Sequence, residues 1–181
     1  MGDALAALRV PNPRHPFPQP SPGRPRGLNV LGLLARHPEL ARAYHSFNGH
    51  ILFGTTLTPR VRELLILRVA AVRDAEYEWA QHVVLAADAG LGAEEVERIA
   101  AGPDAEGWPD LDRALVAAVD QLVADATIDD PTWATLSTEL DPQQLMDLVF
   151  TVGAYDVLAM AFRTFRIELD DDLQRWKRPS H

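Results

Sequence analysis

Three ionisable side chains stand out by type and spacing: Glu63, Glu78 and His82. Glu78 and His82 are four residues apart, so on a helix they share one face about one turn apart. Glu63 lies in the run before them, beside Arg60, Arg62 and the apolar residues 64–67. A carboxylate half-buried next to apolar side chains has a raised proton affinity, and a histidine titrates near neutrality. Such groups can pass a proton in either direction at neutral pH, which is the requirement of general acid–base catalysis. Blander arrangements use the same residues. The Glu78–His82 pair can sit on a solvated helix face, and Glu63 can pair with Arg60 or Arg68 as a structural ion pair. Two carboxylates and an imidazole can also hold iron, manganese or zinc.

Other residues add less. Tyr77 and Trp79 flank Glu78 and can line a pocket, although Trp79 suits core packing. Tyr155 and Asp156 lie deep in an apolar stretch, where the aspartate needs a partner such as Arg163 or Arg68. His37, His45 and His50 read as partly exposed helix histidines, the last two being five apart and poorly placed to share a metal. The chain has no cysteine, which excludes disulfides, thiolate metal sites and dithiol redox chemistry within it. Lys177 is its single lysine, close to Pro179, a poor place for a Schiff base. No glycine-rich phosphate loop or Gly-x-Ser-x-Gly elbow occurs.

Helices must position the acid–histidine cluster. Thr58-Pro59 is a start signal, a capping threonine before a first-turn proline. The run 60–72 is apolar nearly all round, as a central helix is. A second helix over 75–89 would end at Gly90. Before these, Asn29 can cap a helix over 30–36, and Pro38 can open one reaching 53. After them, helices are expected over 93–101, 111–124, from Pro131 with Asp130 as cap, and from Pro142 to about 167. No stretch alternates as a strand does, so the fold class is all-α.

The 181 residues fit one helical domain over 28–173. It is preceded by a proline-rich arm over 1–27 and followed by a tail over 174–181. The arm is expected to be extended, either packed on the body, wrapped over a neighbouring subunit or loose. Hydrophobic residues make up 47% and charged residues 24%, as in ordinary globular domains. The net charge of −9 gives no general attraction to nucleic acid or anionic membrane. No unbroken apolar run reaches the roughly 18 residues of a membrane span. The start of the chain reads poorly as a signal peptide, so the cytoplasm is the default compartment.

The run Arg62-Glu63-Leu64-Leu65-Ile66-Leu67-Arg68-Val69-Ala70, then Tyr77-Glu78-Trp79-Ala80-Gln81-His82, then Ala89-Gly90-Leu91, resembles the carboxymuconolactone decarboxylase family. That family shares its fold with the alkylhydroperoxidase D-like proteins. The resemblance implies an alkylhydroperoxidase D-like helical bundle that assembles as a homotrimer or homohexamer. In the peroxidase branch a glutamate, a Cys-x-x-Cys pair and a histidine form a thiol site. The glutamate and histidine match Glu63 and His82, whereas the cysteine positions match Ala75 and Glu78. Thiol peroxidase chemistry is thereby excluded for this chain. In the decarboxylase branch a glutamate stands four before the histidine, as Glu78 does before His82. The implied activity is a cofactor-free lyase or proton transfer on a small cyclic organic acid or lactone. His82 would move the proton, Glu78 would hold the imidazole tautomer, and Glu63 would be a second acid–base group. Tyr77, Trp79 and Tyr155 are the candidate substrate-binding residues. The alternatives are a non-catalytic oligomeric scaffold, with a flat or occluded site at His82, or a metal-dependent enzyme using Glu63, Glu78 and His82.

Overall fold

The structure is a computed structural model that describes residues 2–17 and 26–176. Its described elements are helical: α1 Gly2–Ala6, α2 Leu28–Leu34, α3 Pro38–Gly49, α4 Pro59–Val72, α5 Glu76–Asp88, α6 Ala93–Ala101, α7 Asp110–Asp125, α8 Asp130–Glu139 and α9 Pro142–Thr164. A single π-helical turn, His50–Gly54, extends α3, and a 3-10 turn, Asp171–Trp176, follows α9.

α4 is the axis of the fold. The Thr58 hydroxyl accepts the Val61 amide at 3.2 Å and Pro59 opens the first turn, as the sequence signal requires. Leu64, Leu65, Ile66, Leu67, Val69 and Ala70 are all buried, so the helix is enclosed on every side. It packs against α5, α6, α7 and α9. α4 and α5 are joined by only Arg73–Ala75, a helical hairpin whose short link makes the two helices antiparallel neighbours. That geometry lays the first half of α4 beside the second half of α5. Gly90, at φ 90°, terminates α5 in the left-handed region, which glycine adopts without a Cβ penalty.

Arginines tie the outer helices to this hairpin. Arg68, on α4, donates two hydrogen bonds of 2.6 Å to Asp120 on α7, and two more to the carbonyls of Ile99 and Ala100 at the end of α6. Arg73, at the hairpin turn, makes a two-pronged ion pair with Asp156 of α9 and donates to the Val123 carbonyl of α7. Asp156 therefore pairs with Arg73, not with Arg163 or Arg68; only Arg73 stands at the turn facing it. Arg60 is likewise committed, to Asp112 and Glu95.

Several element boundaries differ from the sequence expectation. Gly27 in the left-handed region, rather than Asn29, precedes α2; Asn29 instead donates its side-chain amide to the Glu168 carbonyl. Asp129 accepts the Thr132 amide and so caps α8 in place of Asp130. α9 ends at Thr164. It has 23 residues and a window of mean hydropathy 1.6, so by length and composition it could cross a membrane. Asp147, Asp156 and Arg163 interrupt it, so it holds no unbroken apolar run of about 18 residues. In this fold α9 is a core helix on its inner side, with Leu148, Val152, Ala154 and Ala159 buried.

The described part of the proline-rich arm packs on the body. α1 lies on α3, where a Cβ at Gly49 would stand 2.5 Å from the Leu8 carbonyl oxygen, so only glycine admits this contact. The amides of Arg14 and His15 donate to the Phe53 carbonyl, and Phe17 stacks on Phe53 at 4.1 Å. Residues 18–25, including Pro18, Pro20, Pro22 and Pro25, lie outside the described residues, as does Lys177. At the other end the Asp171–Trp176 turn packs against α5 and buries Leu173.

The Arg68 junction yields the first prediction. Arg68→Ala leaves Asp120 without its cation and frees two carbonyls. Because Asp120 is partly exposed, a loss of about 2–4 kcal/mol is expected, somewhat under that of a fully buried pair. Chemical denaturation checks this; a change under about 0.5 kcal/mol would show that α6 and α7 do not depend on the junction.

Candidate functional site

The α4–α5 hairpin brings Glu63 and His82 into contact. Glu63 is fully buried, and its Oε2 lies 2.7 Å from His82 Nδ1. Its other oxygen, Oε1, accepts from Arg62 Nε at 3.0 Å and Nη2 at 2.9 Å. Arg62 is held in turn by a 2.6 Å hydrogen bond from Nη1 to the Leu52 carbonyl. That carbonyl lies in the π-helical turn at the end of α3, where backbone acceptors lack regular intrahelical partners. The same turn is anchored by His50 Nε2 at 2.8 Å from Asp147, which also receives the amide and hydroxyl of Thr56. A chain of contacts thus runs from the π turn through Arg62 and Glu63 to the imidazole of His82.

Burial alone would raise the proton affinity of Glu63. The adjoining His82 and Arg62 outweigh it and hold the carboxyl below its ordinary value, so Glu63 is an anion. Glu63 is therefore paired with Arg62, not with the Arg60 or Arg68 expected from spacing, both of which serve other helices.

Glu78 behaves oppositely. It is buried, and neither carboxyl oxygen has a hydrogen-bond partner among the described residues. Burial, with the nearby Asp156 anion adding to it, pushes its proton affinity well above the ordinary carboxylate range. Burial thus favours the protonated, neutral form of Glu78. The sequence reading gave it the task of fixing the His82 tautomer; Glu63 does that instead. On one helix Glu78 can only stand a turn away from His82, whereas Glu63 approaches the ring from the neighbouring helix.

His82 and Glu78 line a cavity of about 380 Å³ between α3, α5 and α9, with Leu5 and Leu8 of the arm on its wall. The flat or occluded site expected of a scaffold is not what the fold forms here. Tyr155 lines the same space and meets the His82 ring edge to face at 4.9 Å. Burial first, and then Tyr44 and the Glu63 carboxylate, raise the proton affinity of its phenol; burial does the same for Tyr44. Tyr77 contributes to the wall, but its hydroxyl is engaged, donating to Asp170 at 2.7 Å and accepting from Gln81 and the Val30 amide. Trp79 does not line the cavity; it is packed in the main core with Leu64 and its neighbours, because its position on α5 faces inward from the hairpin. Trp79 thus takes the core-packing place that its type also suited, rather than a place on this cavity wall.

Three cavity residues were missed or misread. His45 is buried, not partly exposed, and lines the cavity with Asn48. Tyr44, its neighbour, donates to the Ala154 carbonyl at 3.4 Å. The spacing of 44, 45 and 48 on α3 was the available signal, but it only becomes informative once α3 is known to face α5. No group of three or more His, Cys, Asp or Glu among the described residues is arranged to hold a metal ion. In this arrangement both oxygens of Glu63 are engaged, one by Arg62 and one by His82.

The sequence model of the carboxymuconolactone decarboxylase family matches residues 38–121, which contain Glu63, Glu78 and His82. No curated protein matches the sequence. Among solved structures, an uncharacterised peroxidase-related protein of Silicibacter sp. TM1040 superposes with a TM-score of 0.72 at 13% identity, covering 91% of this chain and 95% of that one. A protein of unknown function from Agrobacterium tumefaciens, described as a putative antioxidant defence protein AhpD, gives 0.71 at 18% identity over 76% and 95%. An uncharacterised peroxidase-related protein of Ralstonia eutropha JMP134 with an alkylhydroperoxidase AhpD core gives 0.70 at 18% identity over 95% and 100%. At these identities the likeness is one of fold. The family match spans 38–121, and the fold of this cysteine-free chain is an all-α helical bundle like that of the AhpD-like structures.

Proposed function

We propose that this chain is a cofactor-free proton-transfer enzyme of lyase type, acting on a small cyclic organic acid or lactone. The observation that carries this reading is the pairing, in one cavity, of a protonated carboxyl at Glu78 with an imidazole fixed by the Glu63 anion. Two carboxyl groups whose environments drive them apart are the usual basis for assigning acid and base roles. With Nδ1–H held by Glu63, Nε2 of His82 is the nitrogen left to exchange a proton with a ligand. In a decarboxylation the bond to the carboxyl group breaks and its electron pair moves through the conjugated ring to the lactone carbonyl oxygen. Carbon dioxide leaves; Nε2 of His82, which has first taken up a proton from solvent, passes it to carbon, and the oxyanion's electron pair re-forms the carbonyl. The un-ionised Glu78 supplies a hydrogen bond where negative charge collects on oxygen. Tyr155 braces the His82 ring, and Tyr77 shapes the wall.

Activity tests this directly. His82→Ala is expected to keep the circular dichroism of the wild type and lose turnover by about 10²–10⁴-fold on lactone acids that shift the melting temperature. Full turnover in that variant would leave a binding protein as the remaining reading.

The state of Glu78 has its own signature. Between the ordinary carboxyl value and the raised value of Glu78, the folded chain keeps a proton that the unfolded chain has lost. Stability therefore falls as pH rises through that window. Glu78→Gln removes this loss, so the variant is expected to melt above the wild type at pH 7. The two curves should converge below about pH 4, where both states of the wild type are protonated. The lowered Glu63 acts in the opposite sense at acid pH and is common to both proteins. Melting temperature against pH is the measurement; a variant that melts lower at pH 7 contradicts a neutral Glu78.

A homo-oligomer, trimer or hexamer as the family resemblance implies, completes the proposal. Its support is the outer face of α9, where Met146, Val149, Phe150, Val157 and Met160 are exposed at helical spacing around Gly153, with Phe47 of α3 edge-on to Phe150. Gly153 has no atom near its Cβ position, so a second helix can approach closely there. Light scattering is expected to give a multiple of the chain mass that falls to the monomer in Val157→Glu. A monomeric wild type at micromolar concentration refutes this assembly.

A further inference from the structure

The acid–base groups occupy the α5 side of the cavity. The α3 side carries a second set of polar atoms that the proposed reaction leaves unused. His45 and Asn48 are three residues apart, hence on one face of α3, and both line the cavity. Both are buried. Neither ring nitrogen of His45, nor Oδ1 of Asn48, has a hydrogen-bond partner among the described residues. Buried polar atoms in folded proteins are nearly always partnered, so two adjacent residues lacking partners at a cavity wall mark groups whose partner comes from the cavity. A core role at these positions would be served better by leucine or phenylalanine.

The charges around the cavity narrow what that partner can be. Arg62 faces the site but is engaged by Glu63 and the Leu52 carbonyl. Arg26 is the one cation on the described cavity wall; its side chain is 73% exposed and turned to Asp172. His45 is itself held toward the neutral form by burial. A carboxylate at the α3 wall would thus be buried without a counter-charge and near the Glu63 anion, a costly arrangement. A neutral imidazole offers one donor and one acceptor, and Asn48 Oδ1 offers an acceptor.

We infer that His45 and Asn48 form a second polar subsite of the cavity, one that takes an uncharged group presenting a donor and an acceptor side by side and rejects a carboxylate. A primary amide, or a hydroxyl next to a carbonyl, has this pattern. The subsite rests on the cavity being the ligand site proposed above, though not on the chemistry performed there. A substrate carrying a carboxylate would keep it away from α3, toward the mouth at Arg26, and present its neutral oxygen functions to His45 and Asn48.

Benzamide and benzoate are matched in shape and differ in charge and in donor content. Titration calorimetry and melting shifts at pH 7 with each compound test the subsite without any turnover. The wild type is expected to bind benzamide at least tenfold more tightly than benzoate. Asn48→Leu and His45→Phe are each expected to weaken benzamide binding at least tenfold while the ligand-free melting temperature holds or rises, because each removes an unpartnered buried polar group. A purely structural pair would show the reverse, a lower melting temperature with benzamide affinity unchanged, and that result overturns the subsite. So does equal or tighter binding of benzoate, or no binding of benzamide by the wild type. His82→Ala is expected to retain the preference for the amide, so loss of the proton-transfer reading and loss of the subsite are separable outcomes.

Discussion

A carboxylate with no solvent exposure, in the central helix of an otherwise apolar bundle, is the constraint around which the site is arranged. An anion in that position persists only with compensating positive groups at hydrogen-bond distance. Glu63 has two, on different oxygens. Arg62 comes from the same helix, one residue earlier, and reaches Glu63 because its other nitrogen is held by the Leu52 carbonyl. His82 comes from the next helix and is delivered by the short Arg73–Ala75 link. The π turn, the hairpin and the imidazole are thus interdependent, and disturbing any one leaves a buried charge without part of its support.

The same arrangement makes the two glutamates chemically unlike. Glu63 sits between an arginine and a histidine and ionises. Glu78 sits a turn from His82, without a hydrogen-bond partner among the described residues and with Asp156 nearby, so its protonated form is favoured. Asp156 is itself an anion fixed by Arg73 at the hairpin turn, so one ion pair both braces α9 against α4–α5 and helps keep Glu78 protonated. Fold stability and the protonation state of the site share this residue.

Much of this was legible in the residues. The Thr58-Pro59 start, the all-round apolar character of α4, the Gly90 stop and the Asp141-Pro142 start each have a local physical cause, and each marks an element end in the fold. The three acid–base residues were identifiable by type and spacing. Their pairing was not, because spacing along α5 favours Glu78 as the partner of His82 while the true contact crosses between helices. Arg62 escaped for a similar reason: its orientation depends on a carbonyl exposed by a π turn, and nothing in residues 50–54 announces that turn. His45 read as a surface histidine because α3 has a mixed polar face, and its burial follows from α1 and α2 packing on α3. Trp79 failed in the other direction. Adjacency to Glu78 along the chain places it on a different side of the helix, which here is the core.

The missing thiols change the meaning of the site within its fold. By the family pattern, Glu78 stands where the peroxidase branch has a cysteine. A thiol there would exchange electrons with an oxidant; a protonated carboxyl can only donate a hydrogen bond or a proton. Apart from His82 and the exposed Arg26, the polar cavity groups are the phenols of Tyr44, Tyr77 and Tyr155, His45, Asn48, Gln81 and Glu78, and burial favours the uncharged form of those that titrate. A cavity of that kind stabilises charge that appears during a reaction better than charge that a ligand brings with it, since neutral donors can turn to a developing oxyanion while offering a resident anion no counter-ion.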